Sequence, residues 1–248
     1  MKDAPRKLAV IAAVAFAIAA PAAQDSFGIG LSASQFADQG DSTLRAAGYA
    51  FSIWGLIYLG LAAYALWQAL PRNTGNTAIK ALAWPSVFSI AATGAWIFAS
   101  AFNQRWLTVA IIVAAAVVMI VGLMRASRGK STFLDWLLVW WPLGLLAGWL
   151  TVASAVNILT VLTAERTVTS DTALLAGAAG VLVTAAAALW VLRRTAAVPY
   201  GAAVVWGLVA VWVAERPGNP AIAWLALACA VAVGLAASWW GRPISGKR

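Results

Sequence analysis

The stretch Tyr49-Ala50-Phe51-Ser52-Ile53-Trp54-Gly55-Leu56-Ile57-Tyr58-Leu59-Gly60-Leu61-Ala62-Ala63-Tyr64-Ala65-Leu66-Trp67-Gln68-Ala69-Leu70 runs for 22 residues without a charge. At about 1.5 Å per residue a helix of that length crosses the roughly 30 Å hydrocarbon core of a bilayer. The run is continuously apolar rather than alternating, which selects a helix over a barrel strand. Seven further apolar segments flank it, at about 8–23, 81–102, 106–126, 134–162, 172–192, 198–213 and 220–240. Turns such as Pro71-Arg72-Asn73-Thr74-Gly75-Asn76 and Glu215-Arg216-Pro217-Gly218-Asn219-Pro220 separate them. The expected fold class is therefore all-α, a polytopic transmembrane bundle of about eight helices. Composition agrees, because 63% of the 248 residues are hydrophobic and only 10% are charged, against roughly a quarter in soluble domains. Eight crossings leave no room for a soluble catalytic domain.

Charge sets the expected orientation. With the N-terminus cytoplasmic, that side holds Lys2, Arg6, Lys7, Arg72, Lys80, Arg125, Arg128, Lys130, Arg193, Arg194, Arg242, Lys247 and Arg248. The other side holds Arg45, Arg105, Arg166 and Arg216, a split of 13 to 4 that follows the positive-inside rule. Six of the eight acidic residues, Asp25, Asp38, Asp41, Glu165, Asp171 and Glu215, fall outside. Topology thus accounts for the net charge of +9, and nucleic acid is not an expected partner. Both termini are expected on the cytoplasmic side. The first segment has two readings. Lys2, Arg6 and Lys7 before a short apolar run ending in Ala20-Pro21-Ala22-Ala23 have the form of a signal peptide, whose removal would leave seven helices. The alternative is a retained first helix. Residues 24–48 form one long polar loop on the non-cytoplasmic side, the length at which loops serve as lids or binding elements more often than as simple tethers.

The absences narrow the chemistry. There is no His and a single Cys, Cys229, so His-ligated haem, zinc sites with His, Ser–His–Asp catalysis and an intrachain disulfide are excluded. Lys occurs only at positions 2, 7, 80, 130 and 247, near helix ends, which leaves no lysine for a mid-membrane retinal Schiff base. No nucleophile–base pair or metal cluster falls in a span, and no enzyme is expected.

Fifteen tryptophans are distributed unevenly. Trp67, Trp84, Trp136, Trp140, Trp141, Trp190, Trp239 and Trp240 lie towards cytoplasmic ends, and Trp106, Trp212 and Trp224 towards the other face, as in an interfacial belt. Trp54, Trp96, Trp149 and Trp206 remain within spans, where an indole N–H needs a partner. Ser89, Thr93, Trp96, Ser100 and Asn103 recur at steps of 4, 3, 4 and 3 on one face of the third segment. Trp149, Ala153 and Asn157 follow at steps of four on the fifth, and Trp54 and Tyr58 stand one turn apart on the second. Polar side chains in a span face a neighbouring helix or a cavity. Small residues within Gly144-Leu145-Leu146-Ala147-Gly148 allow close helix approach. Trp54, Tyr58, Trp96, Asn103 and Asn157 share the outer half, so the expected cavity opens away from the cytoplasm beneath loop 24–48.

Two stretches resemble a known family. Phe51 to Tyr64 is similar to the second-helix motif of the TspO/MBR family, the tryptophan-rich sensory or translocator proteins, with Trp54 and Tyr58 followed by Gly60 and Ala62. Gly148 to Asn157 resembles the fifth-helix motif, where Trp, Ala and Asn recur at four-residue steps. The resemblance covers about residues 8–162, including a weaker match at Gly94-Ala95-Trp96. Thr93 stands where the family's third helix usually has Asn, and the first loop lacks the usual Trp-Tyr and Pro-Pro elements. The resemblance implies a five-helix membrane domain over 1–162, followed over 163–248 by three additional helices, as in longer bacterial members. It also implies a retained first helix and residence in a bacterial inner membrane.

Three functional readings follow. The first is a sensor or carrier that binds a tetrapyrrole, porphyrin-like or similar hydrophobic ligand at Trp54, Tyr58, Thr93, Trp96, Trp149, Ala153 and Asn157. The second is a facilitative small-molecule transporter; proton coupling is disfavoured because Asp135 alone comes near a span. The third is an assembly subunit of a larger membrane complex, with 172–240 as a docking face. The expected partners are the lipid bilayer, a hydrophobic small molecule, and a second copy or a larger complex.

Overall fold

The computed structural model describes residues 3–41, 43–126 and 132–241, and no strand occurs among them. Lys2, Arg128, Lys130, Arg242, Lys247 and Arg248, assigned above to the basic side, lie outside the described residues. In chain order the helices are α1 (Ala4–Ser26), α2 (Ala33–Ala37), α3 (Ile53–Ala69), α4 (Thr77–Ala101), α5 (Arg105–Arg125), α6 (Phe133–Asp135), α7 (Trp141–Ala164), α8 (Ser170–Thr195), α9 (Val198–Glu215) and α10 (Pro220–Trp240). A π-helical turn over Trp136–Trp140 joins α6 to α7. Among the described residues eight helical stretches are long and apolar enough to cross a membrane. The protein is an integral membrane helix bundle.

Helix limits follow local chemistry. The apolar run at the N-terminus does not stop at Pro21; α1 passes through it to Ser26. Proline in a helix forfeits one hydrogen bond, and the end is set instead by Gly28, whose φ of 59° lets the chain turn out. The following segment is not a featureless loop. Ser32 and Gln35 form a reciprocal capping box that starts α2, and a 3-10 turn follows over Asp38–Gly40. A second 3-10 turn over Gly48–Ser52 leads into α3.

The bundle is built around α7, which packs against α3, α5, α8 and α9. α1 lies on α3 and α4, α4 lies on α5, and α8, α9 and α10 pack on one another. The small residues of α7 serve the contact with α9. Gly144 faces the Pro199 ring, and a Cβ on Gly148 would run into the backbone of Tyr200. Across the same seam Gly207 of α9 faces Val152, and the Thr151 and Tyr200 hydroxyls lie 3.0 Å apart.

Polar groups close the end of the bundle that holds the N-terminus. Buried Asp135 accepts from the Trp67 indole at 3.1 Å and from the Asn76 amide at 2.9 Å. Its other carboxylate oxygen accepts from the Thr132 hydroxyl and backbone N–H. Lys7 donates to the Ala69 carbonyl at 3.0 Å. Asp135 is thus committed to joining α3, α4 and α6.

Gly148→Ala should destabilise the bundle by about 1–3 kcal/mol, because overpacking forces two backbones apart. Gly55→Ala, where no neighbouring atom lies within 4 Å of the new Cβ, should not. Equilibrium unfolding in mixed SDS micelles checks both.

Candidate functional site

At the end of the bundle opposite the N-terminus, a cavity of about 790 Å³ opens between the helices. All seven residues singled out in the sequence line it: Trp54 and Tyr58 on α3, Thr93 and Trp96 on α4, and Trp149, Ala153 and Asn157 on α7. The four-residue steps place the α7 trio on one helical face. Ile112 and Ala115 of α5 add apolar wall, and Pro21 and Gln24 of α1 and Ala214 of α9 reach the rim. The rest of the polar stripe on α4 divides. Ser89 donates to the Ala115 carbonyl of α5, Ser100 to the carbonyl of Ile97, and Asn103 sits in the turn after the helix with φ of 52°.

The walls are a connected set of rings. Trp54 stacks on Tyr58 with centroids 5.2 Å apart, and meets Trp149 edge to face at 6.3 Å. Phe51 adds a second edge contact to Trp149, and Phe36, buried beneath the cover, sets its edge against Trp96 at 5.9 Å. Offset and T-shaped pairs of this kind hold rings rigidly. The two polar side chains deep in the wall differ in what they leave free. Asn157 is engaged through both amide atoms: its Oδ1 accepts from the Trp96 indole at 2.8 Å and its Nδ2 donates to Thr108 at 2.9 Å. Trp149 is 4% exposed and its indole N–H has no hydrogen-bond partner among the described residues. Thr93 returns its hydroxyl to the Ile90 carbonyl. Ala153 carries no group beyond Cβ, so it leaves space between the rings.

Residues 29–41 and 43–50 form the cover, and it is fastened on two sides. On one, the Leu31 N–H donates to the Ala101 carbonyl, Gln39 donates to Asn103, and Gln39 accepts from Arg105. Thr163 of α7 donates to Thr43 at 2.7 Å. On the other side the anchor is α9. The Ala47 N–H donates to the Ala210 carbonyl, and the Trp206 indole donates to the Ala50 carbonyl, each at 3.0 Å. Buried Glu215 accepts from the Arg45 backbone N–H at 2.9 Å, and the Arg45 guanidinium donates to the Ala214 carbonyl.

The charged residues at the mouth are Asp25, Asp38, Asp41 and Arg45. Burial, reinforced by neighbouring Asp38, pushes the Asp41 carboxyl above its ordinary range, while Arg45 pulls it back. Among the described residues no three His, Cys, Asp or Glu converge on a metal position. The arrangement offers aromatic faces and a carboxylate-lined entrance. Sequence reasoning overlooked Phe36, Phe51 and the Arg45–Glu215 anchor. A signal for Phe36 was present in the Ser32-x-x-Gln35 capping pattern; Arg45 and Glu215, 170 residues apart, carried none.

Fold and geometry together define a class: a polytopic membrane bundle with an aromatic cavity between its helices under a folded cover. The family model of TSPO-like proteins matches residues 7–239, and the chain belongs to this family. The match continues past residue 162, where the motif resemblance ends, through α8, α9 and α10. No curated protein and no solved structure matches the chain.

Glu215→Ala removes the acceptor that holds the Arg45 backbone. Leaving that N–H unpaired costs about 1–2 kcal/mol. Tryptic cutting after Arg45 should then rise by about 5- to 30-fold, the ratio corresponding to that free energy, as read by mass spectrometry of the fragment ending there.

Proposed function

We propose that this protein binds a flat hydrophobic ligand, of the tetrapyrrole type or similar, in the cavity beneath residues 29–50, and acts as a sensor or carrier of it. The observation that carries the reading is the convergence of Trp54, Tyr58, Thr93, Trp96, Trp149, Ala153 and Asn157 on one space of about 790 Å³. That volume falls within the roughly 300–1,000 Å³ of small-molecule sites. Four of those residues present rings, which suits stacking against a planar ligand: Trp54 contacts both Tyr58 and Trp149, and Trp96 lines the same space. Helices α8 to α10 act in this reading as the frame that fastens the cover.

The test is a Soret-band titration of the purified protein with protoporphyrin dimethyl ester, an uncharged probe. Trp54→Leu and Trp149→Leu should each weaken binding by about 2- to 13-fold, the equivalent of the 0.5–1.5 kcal/mol carried by one aromatic pair. Trp239→Leu, at a ring 70% exposed on α10, should bind as the wild type. Equal losses in all three, or no titration at all, would remove the reading.

The cavity opens away from the cytoplasm in this proposal, on the strength of the 13-to-4 basic split. Reporter fusions after residues 75 and 194 should read cytoplasmic, and those after 40 and 167 should not. A cytoplasmic signal after residue 40 would reverse the orientation.

A further inference from the structure

We infer that the ligand this cavity selects is a hydrophobic cation, a flat aromatic body carrying positive charge rather than a carboxylate. The inference rests on the ligand-binding reading above and adds the sign of the ligand's charge. Its basis is the set of ionisable side chains that line the cavity: Asp25, Asp38 and Asp41 against Arg45 alone. The carboxylates come from two places, the last turn of α1 and the 3-10 turn at Asp38–Gly40 with the residue just after it. Asp25 lines the same cavity as the other two because the cover folds over the bundle.

The single cation among them is already offset. The Arg45 Nε lies 4.0 Å from the Glu215 carboxylate, whose side chain is 8% exposed, and Arg45 Nη2 donates to a backbone carbonyl. Arg105, the other guanidinium hydrogen-bonded to the cover, does not line the cavity, and it pairs with Glu165 at 2.8 Å. Asp25, Asp38 and Asp41 enter no ion pair among the described residues. They do not converge tightly enough to hold a metal ion, so their shared field is available to a diffuse charge. The repulsion that Asp38 exerts on Asp41 is what a bound cation relieves and a bound anion worsens.

Below the rim the walls favour the same sign. The faces of indole and phenol rings are negative and attract cations, most strongly where water is excluded. Trp54, Tyr58 and Trp149 form such a wall. An anionic ligand would meet like charge at the mouth and negative ring faces within. Carboxylates at the mouth also raise the local concentration of cations and lower that of anions.

Rhodamine 6G and fluorescein ethyl ester test the inference, since they share a xanthene body and an ethyl ester and differ in the sign of charge. Their binding to the purified full-length protein in non-ionic detergent is read by fluorescence polarisation. The cation should bind at least about tenfold more tightly, and the ratio should fall as salt is raised from about 50 to about 500 mM, where screening shortens to a few Å. The combined variant Asp25→Asn, Asp38→Asn, Asp41→Asn should lose most of that ratio while still binding protoporphyrin dimethyl ester, which reports an intact cavity. Equal affinities, a preference for the anion, or an unchanged ratio in the variant would overturn the charge assignment. If the ester binds and the dyes show no sign preference, the cavity reading stands and this inference falls. If neither the ester nor the dyes bind, both fall.

Discussion

The amide of Asn157 is the joint on which the half of the bundle opposite the N-terminus depends. It accepts from Trp96 on α4 and donates to Thr108 on α5 while standing on α7. Apolar attraction between helices is weak in lipid, because the tails are as apolar as the side chains. A buried polar group without a partner is also costly there. One side chain that satisfies donors and acceptors on two neighbouring helices therefore fixes their rotation as well as their separation. Trp96 is held with its ring towards the cavity, and Phe36 packs against its edge. The opposite wall is fixed differently, by α7 lying backbone to backbone on α9 through Gly148. The cavity persists between these two contacts because rings and backbones, rather than flexible side chains, hold its sides apart.

Most of the fold could be read from the order of residues, because lipid imposes a simple rule: long uncharged runs are helices. The run 49–70 and its seven companions coincide with the spans to within a few residues. Which residues share a face on each helix could also be read, since steps of three and four define helical faces whatever the neighbours are. What could not be read is anything set by contacts distant in the chain. Nothing local marks Arg45 and Glu215 as partners, or Ala47 and Ala210. The glycines of α7 signalled a close approach but not to which helix. The α4 stripe shows the converse: five residues shared a face by spacing, yet Thr93 and Trp96 line the cavity while Ser89 turns to α5. Spacing gives direction about an axis; depth and neighbour decide use.

The cover's anchors on α9 tie one of the last three helices to the cavity. A cover attached only to α4 and α7 would be held at Leu31, Gln39 and Thr43, leaving residues 45–50 to close over the aromatic wall unaided. The contacts from Ala210, Ala214, Glu215 and Trp206 supply that second margin. The same contacts hold Arg45 against a buried carboxylate, which leaves the aspartates to set the sign of the entrance.

The position of those anchors in the chain has a temporal consequence. A polypeptide is made and inserted from its N-terminus, in segments that fold as they emerge. The rings of α3, α4 and α7 are complete once residue 164 has been added, but the contacts that fasten residues 45–50 wait for residues 206 to 215. During the synthesis of α8 and α9 the aromatic wall is already in the chain while the second margin of its cover is not, so the order of the chain makes α9 the last element added to the cover's fastening.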